Sequence, residues 1–227
     1  MQNGETANFP TGNVIMEKNN QPAILRFFAQ LVSFLFHPLF IPTYIAAYLL
    51  YVHPYAAAGL GEKLKLFRFF SVVFITAFLP AFSIFLMKQL GFIQSIFLHT
   101  QKDRIIPYIV SMVFYWWAWH VAKNLHYNPA FIAMFLATFI GCIAGMMANI
   151  YFKISMHGIA VGALFVFFVW LAFSGTVTIG SYLAIATIIT GLVCTARFIA
   201  SDHNPVEVYA GLFTGMVCQL IAIGIAG

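Results

Sequence analysis

A chain of 227 residues in which 62% are hydrophobic and only 7% are charged holds more apolar surface than a body of that size can enclose, so lipid rather than water is its solvent. The formal net charge of +5 would suggest a nucleic-acid partner in a soluble protein. Here the cations stand singly at the ends of apolar runs, where orientation signals and lipid headgroups account for them, so no nucleic acid is expected and the lipid bilayer is the expected partner. Runs of about 20 apolar residues, each able to cross roughly 30 Å of hydrocarbon, recur along the chain and predict an all-α, polytopic integral membrane helical bundle.

Residues 1–22 read as a polar tail without the pattern of a signal peptide, and residues 23–227 as a single transmembrane domain. The stretch Ala23 to Val52 is broken by His37, Pro38 and Pro42. It reads either as one kinked span or as an interfacial helix to about Phe36 followed by a short span, giving six core spans plus an additional N-terminal element. A second span follows from Leu66 to Met87 with Pro80 as its kink, then a connection from Lys88 to Arg104. The third span, Ile105 to Val121, ends in an aromatic belt from Tyr115 to His120. The fourth, Pro129 to Tyr151, carries Gly141 and Gly145 as a small-xxx-small pair suited to close helix packing. The fifth runs from Ser155 to Phe173, the sixth from Thr178 to Phe198, and the seventh starts at Asn204 or Pro205. Cys142, Cys194 and Cys218 lie inside apolar runs and read as buried small hydrophobes.

Counting spans brings three separated sequences, within residues 102–107, 153–157 and 196–207, to one membrane face. They contribute Lys102 and Arg104; Lys153, Ser155 and His157; and Arg197, His203 and Glu207. The third, fifth and seventh helices all start there, with unpaired N–H groups and the positive end of the helix dipole. Four cations beside three helix starts favour an anion over a metal ion, and phosphate is the anion that lipids carry. Two histidines at such a place can divide phosphoryl transfer between a nucleophile and an acid. Glu207, four residues beyond His203, stands one helical turn away, where it could orient the imidazole.

Each residue also has a plainer reading. Asn204, Pro205 and Glu207 make a capping-box-like helix start, and Ser155 suits an N-cap. Arg197 and Lys153 at helix ends complement the dipole or reach headgroups, and Lys102 and Arg104 serve as orientation signals. His157 alone would be interfacial. His37 either lines the same pocket or merely starts a helix with Pro38.

Arg197, His203 and Glu207, with their spacing of five and then three intervening residues, resemble the third signature of the type-2 phosphatidic acid phosphatase superfamily, Ser-Arg, five residues, His, three residues, Asp. Ile154-Ser155-Met156-His157 is similar to its second signature, Pro-Ser-Gly-His, and Lys102 to Pro107 share only the ingredients of the first. Met156 stands where the family has Gly, Glu207 where it has Asp, and Ala196 where it has Ser. The resemblance covers roughly Lys102 to the carboxyl terminus. It implies a metal-independent membrane lipid phosphatase with no cofactor, hydrolysing a lipid-linked phosphomonoester or diphosphate through a phosphohistidine. His203 would be the nucleophile, Glu207 its orienting carboxylate and His157 the general acid, with Arg197, Lys102, Arg104 and Ser155 on the phosphate and Lys153 able to join them. The alternative is a non-catalytic protein that binds or moves an anionic lipid in the same cationic pocket; a third reading makes the two histidines metal or haem ligands. Leaving the motif cations out of the positive-inside count puts the site on the extracytoplasmic face of a cell membrane. Oligomeric state is not legible.

Overall fold

A computed structural model describes residues 22–92, 101–174, 178–200 and 204–226, with the side chains of 101–104 outside the description. The described residues form helices α1 (Ala23–Leu35), α2 (Ile41–Tyr51), α3 (Glu62–Val73), a π-helical turn (Phe74–Phe78), α4 (Leu79–Gln89), α5 (Gln101–Asn124), α6 (Pro129–Tyr151), α7 (Met156–Phe173), α8 (Gly180–Ala200) and α9 (Pro205–Ala226). Six are long and apolar enough to cross a membrane: the α3–α4 helix from Glu62 to Gln89, α5 from Ile105, α6, α7, α8 and α9. The protein is an all-helical, multi-pass membrane bundle.

The additional N-terminal span is not seen as one helix. The chain breaks between Phe36 and Phe40, leaving α1 with 13 residues and α2 with 11. At 1.5 Å per residue these are about 20 and 17 Å long, each short of the hydrocarbon thickness. α1 seats Ala29 and Ser33, one turn apart, against the bundle and leaves Ile24, Phe27, Phe28 and Phe34 outside. α2 is enclosed far more, with Ile41, Ile45, Ala46, Leu49 and Leu50 all buried.

The α3–α4 helix begins at Glu62, four residues before its apolar run, because Lys65 pairs with Glu62 at 2.9 Å in the first turn. Pro80 has no N–H to give the carbonyl of Thr76 four residues back. The chain widens into the π turn just before it, with the Leu79 N–H reaching Phe74 O, and the Tyr115 hydroxyl of α5 donates to the Thr76 carbonyl at 3.4 Å. At the far end of α5, Trp116 stacks on His120, His120 pairs with Asn124 at 2.8 Å, and Lys123 lies over Trp119. Arg68 of α3 covers Tyr127, just before α6, at 3.9 Å. Of the stretch Tyr115 to His120 read as an aromatic belt, Trp116 and Trp117 are exposed, whereas Tyr115 is buried against the π turn.

α7 and α9 cross at the centre. Gly158 and Gly162 of α7 meet Gly211 and Gly215 of α9, and the contacts are backbone to backbone. A Cβ on Gly158 would stand 2.7 Å from Val208 O and one on Gly211 2.5 Å from Ser155 O, while Gly162 abuts Leu212 O and Gly215 abuts Ile159 O. The Gly141/Gly145 pair of α6 serves differently, receiving the side chains of Ile159 and Met156 from α7. Small residues let membrane helices approach closely and gain dispersion contacts where the hydrophobic effect gives little. The three cysteines are buried and free.

Candidate functional site

The glycine crossing fixes where α7 and α9 begin. The Ser155 N–H donates to the Glu207 carbonyl at 3.2 Å, so the second and third motifs meet through backbone. Ser155 is fully buried, and its Oγ accepts from the Gly158 N–H at 3.3 Å; it is the N-cap of α7. Glu207 accepts from the Asn204 N–H at 3.3 Å through Oε2, the reach-back half of a capping box. For Ser155 and Glu207 the capping readings are therefore realised.

Beside these helix starts lies a cavity of about 250 Å³. His157 enters it from the first turn of α7, Arg197 from the last turn of α8, Pro107, Tyr108 and Ser111 from the first half of α5, and His37 from the turn between α1 and α2. The span count placed the beginnings of the third, fifth and seventh spans on one face; α5, α7 and α9 bring theirs to this place. Lys153 lies half-buried in the extended link between α6 and α7. Lys102 and Arg104 belong to the first turn of α5, and their side chains are outside the described residues, as is His203 between α8 and Asn204.

The two histidines that line the cavity are ordered by their partners. Nε2 of His157 lies 3.0 Å from the Ser33 carbonyl, which can only accept, so that nitrogen carries a proton. His37 meets the His157 ring edge-on, with centroids 5.3 Å apart and planes at 87°. Its Nδ1 accepts from the Leu39 N–H at 3.3 Å, which puts the His37 proton on Nε2. Burial, and then the nearby Arg197 charge, lower the His37 pKa from 6.5 to about 4, so the ring is neutral at physiological pH.

Met156, the residue standing where the phosphatase signature has glycine, lines this cavity and also a smaller one of about 60 Å³ deeper in the bundle, bounded by Ile41, Ile45, Thr138 and Gln219. Its side chain fills the space that Gly145 leaves open and so stands between the two. On the opposite face of α2 an apolar cleft of about 430 Å³ opens between Tyr44, Tyr48, Phe168 and Tyr182.

The structure thus brings His157, Arg197 and the backbone of Ser155 and Glu207 together, and adds His37, Tyr108 and Ser111. His37 was weighed from the sequence only as a possible wall. Tyr108 and Ser111 sit on α5 one turn and two turns beyond Arg104, and helical periodicity from that motif was the signal that could have found them. No family model, curated protein or solved structure matches the chain.

Proposed function

We propose that the chain is a membrane-embedded phosphatase, or a phosphotransferase of the same mechanism, acting on a lipid-linked phosphomonoester or diphosphate without metal or cofactor. One observation carries this reading. His157 and Arg197, 40 positions apart and each from a different motif, line one cavity beside the starts of α7 and α9. A guanidinium, helix N-termini and an imidazole able to exchange protons are what a phosphoryl group needs for binding and leaving-group protonation.

In the proposed reaction an imidazole nitrogen of His203 attacks phosphorus, the bond from phosphorus to the lipid oxygen breaks, and His157 gives that oxygen a proton. Water then attacks the phosphohistidine, His157 takes the proton from the water, the P–N bond breaks and inorganic phosphate leaves. Arg197, with Lys102, Arg104 and Lys153, stabilises charge on the non-bridging oxygens. Glu207 caps α9 and orients His203 from the same position. With the phosphate-binding cations set aside from the count, Lys63, Lys65, Arg68 and Lys123 make the opposite end the more basic one, which favours a site on the extracytoplasmic side of the cell membrane.

Purified protein should release phosphate from at least one of phosphatidate, phosphatidylglycerophosphate and a polyprenyl diphosphate, and His203→Asn should abolish it. Identical behaviour of the two proteins on every substrate refutes the catalytic reading. Lipid binding that survives both His203→Asn and His157→Asn, without turnover, establishes the binding protein instead. A Lys123→Cys variant should resist impermeant thiol reagents in intact cells and react once the cells are opened; the reverse pattern overturns the orientation.

A further inference from the structure

The likeness to phosphatase signatures begins at Lys102, yet two of the groups that shape the cavity come from earlier in the chain. The last carbonyls of a helix have no partner within it and carry the negative end of its dipole. Ser33 lies in the last turn of α1, and its carbonyl takes the Nε2 proton of His157 at 3.0 Å. Its side chain is buried, as is that of Ala29 one turn earlier, so the end of α1 is seated in the bundle and holds that carbonyl in place. Four residues on, His37 stands edge-on to the same imidazole, its Nδ1 occupied by the Leu39 N–H.

We propose that the α1–α2 turn is a working wall of the site: the Ser33 carbonyl is a positioning group that keeps a proton on His157 Nε2, and His37 is an anion-binding residue offering an uncharged Nε2–H to the ligand's oxygen. The proposal rests on the cavity being a phosphate site and deepens it by assigning tautomers and a donor.

The chemistry follows from which nitrogens are already engaged. With His157 Nε2 committed to the carbonyl, Nδ1 is the nitrogen that exchanges a proton with a reacting oxygen. The oxygens of a phosphate want several donors, and a neutral imidazole adds one N–H to those of Arg197 and of a protonated His157 without placing a further charge beside them. The charged and titratable groups that line the cavity with His37 are Arg197 from α8, His157 from α7, Tyr108 and Tyr115 from α5 and Cys142 from α6. None of the described lining residues is a carboxylate, so none draws His37 into its charged form.

Long-range proton–nitrogen spectra of protein labelled with ¹⁵N-histidine in micelles, with His37→Gln and His157→Gln for assignment, test both halves. At pH 7 His37 should show a proton on Nε2 and a bare Nδ1, and His157 should keep its Nε2 proton. Added orthovanadate should move the His37 Nε2 resonance. His37→Ala should weaken vanadate binding about tenfold, the loss of one hydrogen bond to a charged ligand, while the thermal midpoint stays close to wild type. A His37 proton on Nδ1, a bare Nε2 on His157, or unchanged vanadate affinity in a folded His37→Ala protein overturns the proposal. If phosphate release depends on His203 but not on His37, the proposal fails and the phosphatase reading stands. If vanadate binds through His37 and no substrate turns over, the phosphatase reading fails and the proposal stands.

Discussion

Replacing Gly215 by alanine puts a methyl group onto the carbonyl oxygen of Ile159, with Ile159 C at 2.7 Å and Cα at 2.9 Å from the new carbon. These are backbone atoms, and no rotamer change clears them; α7 and α9 must move apart along the line on which Ser155 N–H meets the Glu207 carbonyl. Overpacking costs about 1–3 kcal/mol, and with backbone on the receiving side the upper half of that range applies. For a chain of this length the melting point should fall by about 5–10 °C. Gly191 and Gly224 are internal controls, since a Cβ on either meets nothing within 4 Å. There alanine should raise stability by about 0.5–1 kcal/mol, because glycine is a poor helix former. Cys142, Cys194 and Cys218 are all buried, so their reaction with a thiol-specific fluorophore during heating in detergent reads the unfolding directly. A Gly215→Ala protein that melts no lower than Gly224→Ala refutes the backbone crossing as the element joining the second and third motifs.

Glu207→Gln keeps an oxygen for the Asn204 N–H but removes the charge, so stability should stay within about 0.5 kcal/mol of wild type while, on the proposed phosphatase reading, turnover falls; a melting point that falls in step with turnover would assign Glu207 to the cap alone. Met156→Gly opens the part of the wall between the two cavities that Pro38, Tyr115 and Cys142 do not supply, so on the proposed phosphatase reading the variant should accept ligands with bulkier groups next to the phosphate, and an unchanged substrate range measured by phosphate release argues against Met156 as a boundary. His37 sits in a turn outside the six candidate spans, and its pKa is lowered in the fold from 6.5 to about 4. Above about pH 6.5 the ring is neutral in the folded and the unfolded chain alike and costs the fold nothing; as the pH falls towards 4 the unfolded chain takes up the proton and the fold loses about 3 kcal/mol at most. Melting curves across that window should be flatter for His37→Gln than for wild type, and parallel curves would show that the ring is not held neutral.

The bundle could be read from the chain because punctuation and hydropathy agree. Asn128 before Pro129 caps α6, accepting the Ala130 N–H at 2.9 Å, and the fourth span runs between the residues expected. The second span was read four residues short at its start, since charge ends an apolar run while Glu62 and Lys65 let the helix continue. Gly141 and Gly145 were visible as a small-residue pair, but the reciprocal pairs at Gly158/Gly162 and Gly211/Gly215 were not recognised, because periodicity says that a face is small and nothing of what it meets. Likewise the meeting of the second and third motifs followed from counting spans, whereas the contact of His37 with His157 across 120 positions did not. Local pattern cannot say which of several short N-terminal helices folds back onto a site.

The Tyr115 hydroxyl on the Thr76 carbonyl bears on how the protein is built into its membrane. A proline at position 80 deprives that carbonyl of its usual donor, and a polar group left bare in hydrocarbon costs several kcal/mol. The α3–α4 helix is thus incomplete as an isolated insertion unit until α5 arrives beside it. Nascent chains arrested before Tyr115 emerges should hold this helix less firmly in the bilayer than chains arrested after it, making the first two long helices a co-inserted pair.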